Sequence, residues 1–192
     1  MKKFELTTES ITNVAGKKLF RIKALIDFED VKAGELGGYV EKEGNVSQDG
    51  NAWVYGNAWV YENARVYDNA WVSGNARVSG NARVSGDARV YDNAWVSGNA
   101  RVSGDARVCG NARVCGNADY TLIQGFGTEF RCTTFYRGKN KKIMVNCGCF
   151  HGDLEEFKKQ VKETRNGKVA KEYLMIADLM EYHFASEDSD DE

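Results

Sequence analysis

The sequence predicts a mainly β protein whose central part is a parallel β-helix, with a small N-terminal β cap and a C-terminal α+β unit. The main observation is a six-residue period that begins at Gly50 and reads GNAWVY GNAWVY ENARVY DNAWVS GNARVS and onward. Self-similarity at so short a period is the signature of a stacked, repetitive fold. Alanine recurs at every sixth position from Ala52 to Ala118, and valine recurs two positions later from Val54 to Val114.

One six-residue repeat has a simple physical logic. Successive residues of a strand face opposite sides, so in Ala-Arg-Val-Ser the Ala and Val point one way and the Arg and Ser the other. The apolar pair is predicted to line the interior. The Gly-Asn pair that follows predicts a corner, because glycine accepts any backbone angle and Asn tolerates the left-handed region. A short strand and a corner, repeated, wind into a coil.

The pattern V-S-G-N-A-R resembles the hexapeptide repeat of left-handed parallel β-helices. In that family three repeats form one triangular turn. The resemblance therefore implies a left-handed coil with 18 residues per turn, and nearly five turns over residues 38–121. Every eighteenth residue would then be stacked, which gives the coil three faces.

Residues 1–37 are predicted to form a β cap. Two segments, residues 4–7 and 18–28, are typical of strands and are joined by a turn that contains Gly16. A cap is expected because the end of a β-helix otherwise exposes strand edges and a bare core.

The stretch after the cap is expected to be a first, irregular turn. Gly38, Val40, Gly44 and Val46 are expected to share the phase of the later repeat. The run LFRIKALIDFEDVKAGELGGYVE resembles a group of small hexapeptide-repeat proteins carried on bacteriophage and prophage genomes. This resemblance implies a phage or prophage origin.

Residues 122–185 are predicted to form a ββαα unit. The strands are expected at residues 130–136 and 143–150, around a polar loop at 138–141. The stretches TTFYR and VNCGCFHGDLEEFKKQVKET resemble the C-terminal module of the same phage-borne group. Residues 186–192, SEDSDDE, are predicted to be a disordered acidic tail.

Two helices are predicted after the strands. Asp153 and Glu156 have the spacing of a capping box at the start of the first helix. The second helix is expected from about Lys168 to Phe184, with apolar residues at the 3.6-residue period. The inward residues are predicted to be Leu154, Phe157 and Val161 in the first helix, and Val169, Tyr173, Ile176, Ala177, Met180 and Phe184 in the second.

The composition favours a cytoplasmic protein, and the resemblance to phage-borne proteins implies the cytoplasm of a bacterial host. Five cysteines without paired spacing suggest reduced thiols, and no apolar run is long enough to span a membrane. The net charge of -2 neither requires nor excludes a nucleic-acid partner.

The outward positions of the repeat concentrate Trp, Tyr and Arg, the residues most common in interface hot spots. All four tryptophans of the chain occupy such positions. The alternative is that each Trp stacks on an Arg of the next turn. The candidate partner-binding residues are Trp53, Tyr55, Trp71, Arg89, Tyr91 and Arg107 on face one, and Trp59, Tyr61, Arg77 and Trp95 on face two.

Face three is predicted to carry a ladder of Arg65, Arg83 and Arg101. Because arginine grips phosphate oxygens in pairs, the ladder is a candidate site for phosphate or nucleic acid. The alternative is neutralisation by acids at the corners. Those acids are Glu62, Asp68, Asp87, Asp92 and Asp105.

Catalysis is not expected. Hexapeptide-repeat acyltransferases and the related zinc carbonic anhydrases use histidines, but this repeat contains none. His151 and His183 both lie in the C-terminal unit, and no cofactor is expected. A weaker alternative is a zinc site, since Cys147, Cys149 and His151 alternate along one expected strand and Cys132 would lie opposite Cys147.

The sequence therefore predicts a rigid, non-enzymatic binding protein. By analogy with other small phage proteins, the expected role is inhibition of a bacterial defence complex, such as a CRISPR effector or another nuclease. A self-assembling scaffold, trimeric or dimeric, is the main alternative. Nucleic-acid binding at the arginine ladder is a third possibility, and an acyltransferase-like enzyme is the least favoured.

Overall fold

The computed structural model describes residues 1–138 and 141–185. The chain divides into two compact units, of which the first ends at Asn117 and the second begins at Ala118. The predicted acidic tail and the centre of the predicted polar loop lie outside the described residues.

The first unit begins with three strands that precede the repeat. These are β1 (Phe4–Thr12), β2 (Lys18–Ala24) and β3 (Leu36–Val40). β1 pairs with β2 and β2 with β3, both antiparallel, and β3 then pairs in parallel with the first repeat strand of face two. The cap is thus continuous with one sheet of the coil. Its first strand, β1, is longer than the predicted strand over residues 4–7.

Eleven two-residue strands, β4 to β14, form the repeat. They are Trp53–Val54, Trp59–Val60, Arg65–Val66, Trp71–Val72, Arg77–Val78, Arg83–Val84, Arg89–Val90, Trp95–Val96, Arg101–Val102, Arg107–Val108 and Arg113–Val114.

Three parallel sheets run along the coil, and each sheet is one face. Face one contains β4, β7, β10 and β13, face three contains β6, β9 and β12, and face two continues from the cap through β5, β8, β11 and β14. Paired residues are 18 positions apart, as in Trp53 with Trp71 and Arg65 with Arg83. The first unit is therefore a parallel β-solenoid with 18 residues per turn. It has about four turns rather than nearly five.

The interior is lined as predicted. Every alanine and valine of the repeat between Ala52 and Val114 is at most 1% exposed. The N–H of the first residue in each strand from β4 to β11 donates to an alanine carbonyl of the next turn, for example Trp59 N to Ala76 O at 2.9 Å. Alternation of side chains along each strand places Arg and Trp on the outside.

Acidic residues replace glycine at several corners. Glu62, Asp68 and Asp92 have φ of 61, 58 and 60°, in the left-handed region that the corner glycines also adopt. Each carboxylate accepts a backbone N–H from the corner one turn later, as when Asp92 Oδ2 accepts from Gly110 N at 3.1 Å. This hydrogen bond offsets part of the cost of the left-handed conformation.

The first turn is two residues longer than the others. Val40 pairs with Val60, twenty positions later, whereas later valines pair at eighteen. Ser47 N donates to Val66 O and Asn51 N to Asp68 O, so four positions of the first turn face two of the next, which makes Gln48 and Asp49 the additional residues. The expectation that Val40 and Val46 share the phase of the later repeat is therefore wrong.

Lys3 covers the open end of face one. In the second turn Asp68 O and Ala70 O accept N–H groups of the turn before, so the equivalent carbonyls of Gly50 and Ala52 face the cap. The ammonium of Lys3 donates to Gly50 O at 3.1 Å and to Ala52 O at 2.8 Å, and it lies 5.0 Å from the centre of the Phe28 ring.

Two amide side chains complete the same end. Asn45 Nδ2 donates to Glu62 O at 3.2 Å and to Ala64 O at 2.8 Å, in the position a strand N–H would occupy on face three. Gln48 Oε1 accepts from the N–H groups of Lys3 and Phe4, while its Nε2 donates to a carbonyl of β1. Gln48 thereby attaches the longer first turn to the cap.

The second unit contains a four-stranded antiparallel sheet, not the two strands expected. Its strands are β15 (Tyr120–Phe126), β16 (Arg131–Arg137), β17 (Ile143–Cys147) and β18 (Phe150–Asp153), in that spatial order. The expected strand over residues 143–150 is interrupted because Gly148, with φ of 61°, turns the chain back.

Two helices pack on this sheet. They are α1 (Leu154–Thr164) and α2 (Gly167–Phe184). The capping box is confirmed: Glu156 N donates to Asp153 Oδ1 at 3.0 Å and Asp153 N donates to Glu156 Oε2 at 2.9 Å. No helix in the described ranges is long and apolar enough to cross a bilayer. The predicted inward residues are buried or pack against the core, which contains Phe135, Val145, Leu154, Phe157, Val161, Tyr173, Ile176, Ala177, Met180 and Phe184.

Candidate functional site: the outer faces of the solenoid

Face two carries a continuous column of aromatic and arginine side chains. Arg77 lies over the Trp59 ring at 4.5 Å, and Arg113 lies over the Trp95 ring at 4.7 Å. Trp95 Nε1 also donates to Ser79 Oγ at 3.3 Å. The stacking that was the alternative interpretation of these residues is therefore present, while the two tryptophans remain half-exposed.

The column extends beyond the repeat into the cap. Tyr39 pairs with Trp59, and Arg21 pairs with Tyr39 and lies 5.4 Å from its ring centre. Sequence reasoning missed these two residues because they lie outside the six-residue period. The complete column is Arg21, Tyr39, Trp59, Arg77, Trp95 and Arg113.

Hydrogen bonds among Arg21, Tyr39 and Glu9 fix the side chains at the cap end of the column. Arg21 donates to Glu9 Oε1 at 2.9 Å, and the Tyr39 hydroxyl donates to the same oxygen at 2.9 Å. The hydrogen bonds from Arg21 and Tyr39 lower the pKa of Glu9, and burial together with the bond to Glu9 raises the pKa of Tyr39. Arg21 is therefore fixed in place before any partner binds.

Face one differs from the expectation at its first tryptophan. Trp53 is 0% exposed, because the cap residues Phe4 and Phe28 pack edge-on against its ring at 5.9 and 5.4 Å. The expectation that all four tryptophans are exposed is wrong for Trp53. It lies on the outward side of its strand but beneath the cap, so it is not available to a partner.

The rest of face one is accessible in part. Arg89 lies 5.2 Å from the Trp71 ring centre, and Tyr55 packs against the same ring at 5.1 Å. Tyr91 is half-exposed and Arg107 is exposed. The usable column of face one therefore begins at Trp71.

Two buried polar atoms of the first repeat turn have no hydrogen-bond partner among the described residues. They are Trp53 Nε1 and the Tyr55 hydroxyl oxygen, both buried. Burial is the first cause that raises the pKa of Tyr55 to about 12, and nearby acids add to it. Burial also lowers the pKa of Lys3 to about 8, against the opposing effect of Asp49.

Face three carries the predicted arginine ladder. Arg65 pairs with Arg83 and Arg83 with Arg101 in parallel register, and all three side chains are exposed. Within residues 1–138 and 141–185, no ion pair or aromatic ring contact involves these three side chains.

The corner acids Glu62, Asp68 and Asp87 form no ion pair with this ladder within residues 1–138 and 141–185. Glu62 accepts from Gly80 N and Asp68 from Gly86 N, so these carboxylates bond to backbone corners instead. Asp87 accepts from an asparagine of the preceding turn. The alternative of neutralisation by corner acids therefore rests, for these three, on charge at a distance and not on ion pairs.

A cleft opens on face three at the end nearer the cap. It has a volume of about 460 Å³. Arg65, Arg83 and Tyr67 line it together with residues of the longer first turn. The six-residue repeat alone does not predict this cleft. The lining residues are Ser47, Asp49, Gly50, Arg65, Tyr67, Asp68 and Arg83.

The four proposed zinc ligands are not brought together. Thr133, rather than Cys132, pairs with Cys147, and its hydroxyl donates to Cys147 Sγ at 3.1 Å. Cys149 lies in the turn after β17, and His151 lies on the next strand with its Nε2 3.0 Å from the Tyr136 hydroxyl. The described part of the chain holds no group of three metal-ligating side chains.

The fold and these faces define a β-solenoid repeat protein. The repeat is similar to the family described as the YdcK β-solenoid repeat, whose model matches residues 58–74, 64–80, 72–84, 76–92, 82–98, 94–110 and 106–118. All of these matches lie in the first unit. No curated protein matches the chain.

Proposed function

We propose that this chain is a non-catalytic binding protein that contacts a protein partner through face two. The observation that carries the proposal is the continuous six-residue column of arginine and aromatic side chains from Arg21 to Arg113, of which all but the buried Tyr39 are at least partly exposed. Trp, Tyr and Arg dominate the binding energy of protein interfaces.

Rigidity supports this choice of face. Each ring of the column is held by an arginine of a neighbouring strand, and Arg21 is held by Glu9 and Tyr39. A surface that is ordered before binding loses less side-chain entropy on association. Face one offers a shorter surface because Trp53 is buried.

The more specific role we propose is that of a phage-encoded inhibitor of a bacterial defence complex, acting in the host cytoplasm. This role is supported by the resemblance of residues 19–41 to phage-borne proteins. The target class is a CRISPR effector or another nuclease. Co-expression with such an effector tests it: survival of a targeted plasmid should rise with this chain and return to the background value with the variant Trp59→Ala/Trp95→Ala.

Binding is tested by capture from bacterial lysate with purified variants. Trp59→Ala/Trp95→Ala on face two should lose the partner that the unchanged chain retains. Trp71→Ala on face one is the matched control, since it also removes a half-exposed tryptophan from the solenoid. Equal capture by all three proteins contradicts the choice of face two. Sedimentation then separates a foreign partner from the self-assembled trimer or dimer, in which face two is covered by a copy.

Binding of nucleic acid or phosphate at the arginine ladder is the second candidate function. It is favoured because Arg65, Arg83 and Arg101 form no ion pair and no cation–π contact with the described residues. A ladder of like charges is more stable with an anion across it. An oligonucleotide should therefore bind with an affinity that falls steeply as salt rises, and no salt dependence would contradict this function.

A further inference from the structure

The cleft on face three is a built feature, not a consequence of the repeat. In the regular turns the corner passes directly from one strand to the next. In the first turn the additional residues Gln48 and Asp49 lie at this corner. Gln48 bonds to the cap, while Asp49 and Gly50 line the cleft together with Tyr67, Asp68 and the two rungs Arg65 and Arg83.

We propose that this cleft binds a single nucleotide unit, with its phosphate on Arg65 and Arg83 and its base against Tyr67. The proposal rests on the second candidate function and narrows it to one end of the ladder. The volume of about 460 Å³ lies in the range of small-ligand clefts.

The arginines supply the phosphate site. Their backbones lie on adjacent parallel strands, about 4.8 Å apart, so both guanidinium groups reach one phosphate. Neither group forms an ion pair with a described residue, which leaves its N–H groups for a ligand. Arginine is well suited to bind phosphate oxygens because its donors form a planar fork.

Two acids that line the cleft restrict the ligand further. Asp68 uses one carboxylate oxygen for Gly86 N, so the other can accept from a ligand. Asp49 is the second acid of the lining. Two carboxylates repel a ligand that is anionic throughout but accept from an amino group. The ligand must therefore be anionic at one end and a hydrogen-bond donor at the other.

Tyr67 in the cleft favours a ligand with a flat ring between its phosphate and its amino group. Tyr67 is half-buried in the solenoid and lines the cleft. Stacking of bases on aromatic side chains is a common and sequence-tolerant mode of binding. A phosphate, a flat ring and an exocyclic amine together describe an adenine, cytosine or guanine nucleotide.

Calorimetric titration with adenosine monophosphate tests the proposal. Arg83→Gln and Tyr67→Ala should each weaken binding by about tenfold or more. Arg101→Gln is the matched control, since it removes a rung of the same ladder outside the cleft, and it should leave the affinity unchanged. Thermal unfolding of each variant verifies that these exposed or half-exposed changes leave the fold intact.

Further probes distinguish the source of the nucleotide. Uridine monophosphate, which lacks the exocyclic amine, should bind more weakly, and inorganic phosphate more weakly still. A six-residue oligoadenylate that binds more tightly than the mononucleotide, with a steeper salt dependence, identifies a nucleic-acid strand as the source; equal affinity identifies the free nucleotide.

Three results overturn the inference. One is equal binding of inorganic phosphate and adenosine monophosphate. Another is an equal loss of affinity with Arg101→Gln and Arg83→Gln. The third is oligonucleotide binding without mononucleotide binding. That result would support nucleic-acid binding by the arginine ladder but contradict nucleotide binding in the cleft. If neither the oligonucleotide nor the mononucleotide binds, the second candidate function fails as well.

Discussion

The guanidinium carbon of Arg77 lies 4.5 Å from the centre of the Trp59 ring, one turn of the solenoid away. The distance follows from the period, because residues 18 positions apart occupy neighbouring strands. The same relationship recurs between Arg113 and Trp95. An outward position therefore acquires its neighbour from the turn before or after it, and a Trp–Arg step in the repeat becomes a stacked pair on the surface.

This pair should contribute measurably to stability. A double-mutant cycle with Trp59→Leu and Arg77→Met should give a coupling energy of about 0.5–1 kcal/mol, the range for cation–π pairs at partly exposed sites. Chemical denaturation provides the free energies of unfolding. The control cycle is Arg65→Met with Arg83→Met, for which the coupling should be absent or of opposite sign because like charges adjoin. A zero coupling at Trp59 and Arg77 would show that the contact is energetically neutral.

The repeat predicts the solenoid closely because one physical rule applies at every turn. The alternation of Ala and Val with larger polar residues determines which side is buried, and the structure confirms it at each strand from Trp53 to Val114. The left-handed winding implied by the resemblance stays a prediction. Periodicity says nothing of what lies outside the repeat, so it could not foresee that Phe4 and Phe28 cover Trp53.

Two predictions from the sequence were wrong: the phase of the first turn and the single strand over residues 143–150. In each, the sequence contained a local departure from the regular pattern. Val46 and Val54 are eight positions apart instead of six, which marks the longer first turn. Cys147 and Cys149 alternate as in a strand, but Gly148 between them can turn the chain and does so. The two additional residues of the first turn form part of the cleft on face three. The turn at Gly148 forms a hairpin that separates the proposed zinc ligands.

Burial of Trp53 can be measured by fluorescence quenching. A variant that retains Trp53 and has Trp59, Trp71 and Trp95 changed to Phe should be nearly inaccessible to iodide. A matched variant that retains Trp95 should be quenched readily, because that ring is half-exposed. Equal quenching of the two proteins would show that the cap does not cover face one in solution.

Lys3 should make stability rise with pH in the alkaline range. Its pKa is lowered from 10.5 to about 8 because burial disfavours the charged ammonium. Below about pH 8 this cost is fully present. Between about pH 8 and 10.5 the unfolded chain holds a proton that the folded chain has released, so the free energy of unfolding increases. Denaturation curves across this range should show the rise in the unchanged chain and not in Lys3→Met, which is expected to be less stable because Gly50 O and Ala52 O lose their donor.

Tyr55 should act in the opposite direction at higher pH. Its pKa is raised from 10.0 to about 12, so the folded state disfavours the phenolate and stability is lost as pH rises from about 10 to 12. Tyr55→Phe should remove this loss. Because the hydroxyl is buried and has no partner in the part of the chain that the structure describes, the same change should stabilise the protein by about 1 kcal/mol at neutral pH. Destabilisation by Tyr55→Phe at pH 7 would indicate that the hydroxyl has a partner in solution.

Substitutions at Asp92 can distinguish the cost of the left-handed backbone conformation from the contribution of the corner hydrogen bond. Asp92 has φ of 60°, and the corresponding corners of the same column are Gly56, Gly74 and Gly110. Asp92→Gly relieves the conformation and loses the bond to Gly110 N, so the two effects partly cancel and the change in stability should be small. Asp92→Ala loses the bond and retains the strain, so it should be about 1–2 kcal/mol less stable than Asp92→Gly in urea denaturation. If the two variants are equally stable, the left-handed conformation carries no cost at this corner, and the acids at the corners serve solubility rather than the turn.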